Sequence, residues 1–103
     1  MPKKTLDNLT ETMFYVLMAF RRGEMCGTDI SDYIRRLTDG RVVLGPGTLY
    51  TILGKFEDAG LIEETEVQGR KRTYKITPRG MDIYADELLR LQTCVADALK
   101  EGF

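Results

Sequence analysis

The residues of this chain best placed to do chemistry are cationic and hydroxylic. Arg70-Lys71-Arg72 is the densest basic run in the sequence, and Thr48, Tyr50, Thr51 and Lys55 stand shortly before it. Guanidinium, ammonium and hydroxyl groups in such company serve phosphate oxygens and the hydrogen-bonding edges of bases. The groups that other chemistries need are missing. Histidine is absent, which removes the commonest metal ligand and the usual general base at neutral pH. Cys26 and Cys94 form no CxxC spacing, so both read as free thiols and neither a zinc site nor a disulfide framework is expected. An oxidised dimer through Cys94 is the redox alternative. There is no GxGxxG, no P-loop and no nucleophile elbow, and the carboxylates are scattered along amphipathic segments. The expectation is a binding protein that is not an enzyme and takes no cofactor or metal.

Placing those residues requires the elements around them. Leu9, Met13, Val16, Leu17 and Phe20 recur at helical steps, which predicts a helix over 8–22 closed by Arg21-Arg22-Gly23. A second helix opens at Gly27-Thr28-Asp29 with Thr28 as N-cap. It buries Ile30, Tyr33, Ile34 and Leu37 and ends at Asp39-Gly40. Val42-Val43-Leu44 is either a small strand or an extended connection. Gly45-Pro46-Gly47-Thr48 turns into a third helix whose inner face is Leu49, Ile52, Leu53 and Phe56, stopped by Gly60. Two strand-like runs, 61–65 and 73–76, flank the charged turn Val67-Gln68-Gly69-Arg70 and predict a hairpin.

Thr77-Pro78 then supplies an N-cap and a proline at the first helical position. The last helix should run from Pro78 to about Lys100. Along it Met81, Tyr84, Leu88, Leu91, Val95 and Ala98 form a heptad seam, widened by Leu89, Cys94 and Leu99. A seam this broad exceeds what one small domain can cover, so a second copy is expected on part of it. The fold class expected is mainly α with a small β-hairpin. Residues 1–77 form a winged helix-turn-helix and residues 78–103 a dimerisation helix, in one structural unit.

The chain has 103 residues, 43% hydrophobic and 30% charged, the make-up of a soluble globular domain. No apolar run approaches a membrane span, and Met-Pro-Lys-Lys-Thr lacks an apolar signal core, so a cytoplasmic protein without a membrane partner is expected. The net charge of −1 argues against nucleic acid only until it is divided along the chain. Residues 1–80 carry +2 and residues 81–103 carry −3, so the acidity belongs to the tail.

The order helix, helix, helix, hairpin, long helix suits a helix-turn-helix followed by a wing. With its apolar residues inward, the third helix presents Gly47, Tyr50, Thr51 and Gly54, with Lys55 at the flank. Glu57 and Asp58 point outward only at its C-terminal end, so a DNA groove should receive the N-terminal turn. Arg70, Lys71 and Arg72 on the wing would meet flanking phosphate or a minor groove. Taken singly, each feature also describes an ordinary solvated surface. Gly54 could be a neutral surface glycine, at a cost of about 1 kcal/mol in helix propensity.

The run Gly47-Thr48-Leu49-Tyr50 through Gly60-Leu61-Ile62 resembles the recognition-helix motif of the PadR family. Gly69-Arg70-Lys71-Arg72-Thr73-Tyr74-Lys75-Ile76-Thr77-Pro78-Arg79-Gly80 is similar to that family's wing strand and its junction with the next helix. The resemblance covers about residues 12–80 and is nearest to the short members with a single C-terminal helix. It implies a winged-helix transcriptional regulator, usually a repressor, that dimerises through its N- and C-terminal helices. Those helices carry Leu9, Met13, Tyr84, Leu88, Leu91 and Val95. It also implies DNA contacts at Gly47, Thr48, Tyr50, Thr51, Lys55, Arg70, Lys71 and Arg72. Some relatives bind aromatic effectors at the dimer interface, where Phe14 and Tyr15 could stack a ligand or simply pack the core.

Two positions depart from the pattern. Thr28 stands where the family has tyrosine, and Lys55 where it commonly has arginine, which exchanges a bidentate fork for a point charge. The chain also lacks the tryptophan with which drug-binding relatives sandwich flat ligands. The function expected is a homodimeric repressor on a palindromic double-stranded operator, with a small aromatic effector as an option. The alternative is a winged-helix protein-interaction module that does not bind DNA.

Overall fold

Residues 11–20 place apolar side chains on nearly every side of one helix, and such a helix belongs in the middle of a domain. In the computed structural model, which describes residues 9–102, this is α1 (Glu11–Phe20), with six of its ten residues buried. Thr10 caps it, its hydroxyl oxygen accepting from the Met13 amide at 3.1 Å. The sequence suggested a start at Asn8, which lies outside the described residues.

Around α1 stand β1 (Met25–Cys26), α2 (Gly27–Leu37), α3 (Pro46–Asp58), β2 (Ile62–Gln68), β3 (Lys71–Ile76) and α4 (Pro78–Lys100). Phe20, Leu17, Ile30, Ile34, Leu53, Phe56, Leu61 and Ile62 fill the space between them and are almost wholly buried. The inner face expected for α3 is all buried. Leu37, expected in the α2 stripe, is instead exposed, because α2 ends there and the chain turns away at Thr38. Val42-Val43-Leu44 is a connection that leaves a bend at Val42 and pairs with no strand among the described residues.

The cap of α2 is Cys26, with Thr28 already inside the first turn. The carboxylate of Asp29 accepts from the Cys26 amide at 3.3 Å and from its thiol at 3.2 Å. This is the reach-back half of a capping box, with cysteine in the usual place of serine.

The hairpin is longer than the sequence suggested, running to Gln68 and restarting at Lys71. Only Gly69 and Arg70 make the turn. Gly69 takes φ +61°, the left-handed value that a two-residue hairpin loop asks of its first central residue. A bulge at Thr65 interrupts the ladder between the Glu64–Tyr74 and Glu66–Thr73 pairs. β1 pairs antiparallel with β3 (Met25 with Tyr74, Cys26 with Thr73), giving a three-stranded sheet of order β1-β3-β2. Nothing in the two residues of β1 marks them beforehand as a strand.

Thr77 fastens the wing to α4. Its hydroxyl oxygen accepts from the Gly80 amide at 3.0 Å, and its proton goes to the Gly60 carbonyl at 2.7 Å. α4 then passes α1, where Tyr84 stacks on Phe14 with ring centroids 5.0 Å apart. Its last turns, residues 92–100, are exposed on all sides.

Candidate nucleic-acid interface

α3 starts with Gly45 as cap and Pro46 in its first turn, and residues 45–48 are exposed to solvent. Gly47, Thr48, Tyr50, Thr51 and Lys55 are all exposed, as expected. They divide between two sides of the helix.

Tyr50, 60% exposed, leans toward the start of α2, where a Cβ added to Gly27 would lie 3.8 Å from its hydroxyl. It shares an open concavity of about 460 Å³ with residues 26–29 and with Arg70, Lys71 and Arg72. The structure therefore brings Tyr50 and the wing cations together. Gly47, Thr48, Thr51 and Lys55 line a second depression, of about 650 Å³, against Thr10, Thr12 and Met13 at the start of α1.

Charge sharpens this picture. Arg72 pairs with Glu64 at 3.5 Å and Lys75 with Glu63 at 3.2 Å, both across the hairpin. Arg70 and Lys71 take part in none of the ion pairs among the described residues. The uncompensated charge of the wing is thus at its tip. Glu57 and Asp58 are exposed at the far end of α3, as the sequence implied. Behind them, burial and the nearby Glu57 carboxylate push the Tyr74 phenol up, so it stays neutral.

Thr28 was missed as a member of this surface, because the sequence reading used it as the cap. With Cys26 as cap, Thr28 is exposed and faces the same concavity as Tyr50. The Cys26-x-x-Asp29 spacing is the signal that would have freed it.

The residues proposed for self-association fall into three groups. Leu9, Met13 and Tyr84 are buried by the chain's own packing and present little surface to a partner. Leu88 and Leu91 are half-buried, and Val95 is 60% exposed. The uncovered line on α4 runs through the apolar Met81, Ala85, Leu88, Val95 and Leu99, flanked by Leu89 and interrupted by the polar Gln92. This is still a heptad repeat, but it is rotated away from Tyr84 and Leu91, which α1 occupies. Cys94 is exposed and Cys26 buried, both as free thiols.

Phe14 and Tyr15 do face a groove, of about 310 Å³, between α1 and α4. Phe14 is buried against Tyr84, while the Tyr15 hydroxyl accepts from Arg41 at 2.9 Å. Arg41 also donates to Glu11 at 2.9 Å, which ties the loop before α3 to α1. On the opposite wall Arg90 grips the buried Glu87 carboxylate with two bonds of 2.7 and 2.6 Å. The guanidinium holds that carboxyl below its ordinary range despite the opposing effect of burial. Among the described residues no cluster of His, Cys, Asp or Glu could hold a metal, and no helix is long and apolar enough to cross a membrane.

Comparison with known proteins settles what kind of chain this is. Residues 16–86 match the transcriptional regulator PadR-like family. The chain belongs to that family.

Among solved structures, this PadR-like chain is similar to a transcriptional regulator from Clostridium thermocellum, Cth-833, with 28% identity and a TM-score of 0.77. That match covers 86% of this chain and 87% of the other. It is also similar to Bacillus subtilis PadR in complex with operator DNA, at 28% identity and a TM-score of 0.65. There the match covers 74% of this chain and 45% of PadR. A curated relative, an uncharacterized 37.1 kDa protein in transposon TN4556 of Streptomyces fradiae, is 32% identical over 77 residues. The match takes in 75% of this chain but only 22% of that relative's length. The winged-helix fold and the regulator family expected from the two motifs are therefore shown.

Proposed function

We propose that this PadR-like regulator acts as a homodimeric repressor that binds a palindromic double-stranded operator. The observation that carries the reading is the shared concavity of Tyr50, the α2 start and the three wing cations, beside the exposed first turns of α3. The α2 N-terminus, Tyr50 of α3 and the wing cations converge there from three elements, an arrangement suited to a phosphate backbone. The first two turns of α3, with Gly47, Thr48 and Thr51, then face the base edges, and Lys55 reaches a phosphate at the groove wall. The similarity to PadR, whose structure holds operator DNA, supports the same use here.

Pairing of two copies along the exposed line of α4 would set two such surfaces at a fixed spacing, about one helical turn of DNA between half-sites. The α1–α4 groove with Phe14 and Tyr15 is a place for a small aromatic effector. No catalytic step is assigned, and the site of action proposed is the cytoplasm.

The test is to incubate purified protein with a randomised duplex pool near physiological salt and sequence what is retained. An enriched inverted repeat supports the reading. Retention without an enriched sequence would reduce it to phosphate-only binding. No retention would favour a protein-interaction module.

A further inference from the structure

Resting on that DNA reading, the structure points to the base pair that one side chain of α3 would read. Gly54 lies in the interior of α3 with no positive φ, and a Cβ placed on it meets nothing within 4 Å. The fold itself has no use for glycine there, and glycine in a helix interior weakens the helix. Gly80 is the opposite case, since a Cβ there would collide with the Leu61 carbonyl oxygen. The open glycine at 54 leaves room for a surface that comes to α3 from outside.

Gly47 leaves the same open space on the same side of the helix, seven residues earlier. Thr51 flanks that line on one side, and Tyr50, turned toward α2, flanks it on the other. The Thr51 hydroxyl donates to the Gly47 carbonyl at 2.9 Å, so the proton is already used. Toward a partner it can offer oxygen lone pairs and a methyl group.

Only one kind of base pair answers both. In the major groove an adenine–thymine pair shows the adenine amino donor and the thymine methyl together. A guanine–cytosine pair has an amino donor but no methyl. We propose that Thr51 is a residue that specifies sequence in the interface and that it selects an adenine–thymine pair, read at close range because Gly47 and Gly54 let the helix backbone approach. Tyr50, turned toward α2 and the wing, serves the phosphate backbone.

The experiment is the randomised-duplex selection run on the wild-type chain, Thr51→Ala and Gly54→Ala, with thermal unfolding of each. In the wild type, one position of each half-site is an adenine–thymine pair. Thr51→Ala lowers the preference at that position by about fivefold or more and leaves the other positions alone. Gly54→Ala raises Tm by a few degrees yet weakens binding to the selected site about tenfold or more. The proposal is overturned if Thr51→Ala weakens all sequences equally or leaves the motif unchanged. It is also overturned if the relaxed position is a guanine–cytosine pair, or if Gly54→Ala binds like the wild type. A wild-type protein that enriches a repeat indifferent to Thr51 sinks this inference alone. One that retains no DNA sinks the DNA reading with it.

Discussion

Single side chains on the wing do unequal work, and their ion pairs say which matter. Arg70 and Lys71 are exposed and unpaired among the described residues, so each stands ready to displace one counterion from DNA. Arg70→Ala and Lys71→Ala should each weaken binding to every sequence and lower the slope of log K against log salt by about 1. Arg72 is shared with Glu64, and its removal should change the slope less. Fluorescence anisotropy over a salt series measures all three. Far from the wing, Glu87 and Arg90 make a different prediction. Because the carboxyl's folded pKa is depressed, the pair stabilises above the ordinary carboxylate range, and that contribution fades as pH falls through the lowered value. Arg90→Met leaves a largely covered carboxylate without a partner, so Tm should drop by several degrees at pH 7. The deficit should shrink as pH falls below the ordinary carboxylate range, where first the unpaired and then the paired carboxyl takes up its proton; melting curves at descending pH check it.

At the level of elements, the junction from wing to α4 concentrates the stability. Thr77 receives the Gly80 amide and gives its own proton to Gly60, while its amide reaches Leu61 at 2.9 Å. Thr77→Ala should cost about 1–2 kcal/mol in urea unfolding, with Thr77→Ser recovering most of it. Gly80→Ala forces a methyl against the Leu61 carbonyl and Ile76, and should cost about 3 kcal/mol. Thr77-Pro78 was legible in the sequence because capping is local chemistry. So were the inner face of α3 and the hairpin, whose signals lie within a few residues of each other. β1 was not legible, since two residues become a strand only when β3 arrives beside them. Leu37 misled because periodicity marks a face without saying where the helix stops. On α4 the sequence showed a broad apolar stripe, but only folding tells which half α1 has already taken. The candidate site was readable as a list of residues, and its division into a Tyr50 side and a Thr51 side was not.

For the whole molecule, the proposed dimer rests on the half of α4 that stands clear of its own domain. Val95 and Leu99, 60% and 69% exposed, touch none of the chain's own core. Val95→Glu with Leu99→Glu should leave the fold and its melting curve nearly intact while shifting sedimentation equilibrium to monomer. The selected DNA should then contain half-sites without the inverted repeat. The wing belongs to this scale as well. Its outer strand, β2, lines the open edge of the sheet with Glu63, Glu64 and Glu66, beside four cations on β3 and the turn. Such an edge discourages strand addition by another chain. It also makes the wing dipolar rather than simply positive, so a polyanion is drawn in at the tip and turned away along the flank. On a protein of net charge −1 that favours one orientation of approach over general adhesion. Bound to DNA in the manner proposed, the regulator would leave the wrong sequences quickly, and excess genomic DNA would compete for it only weakly.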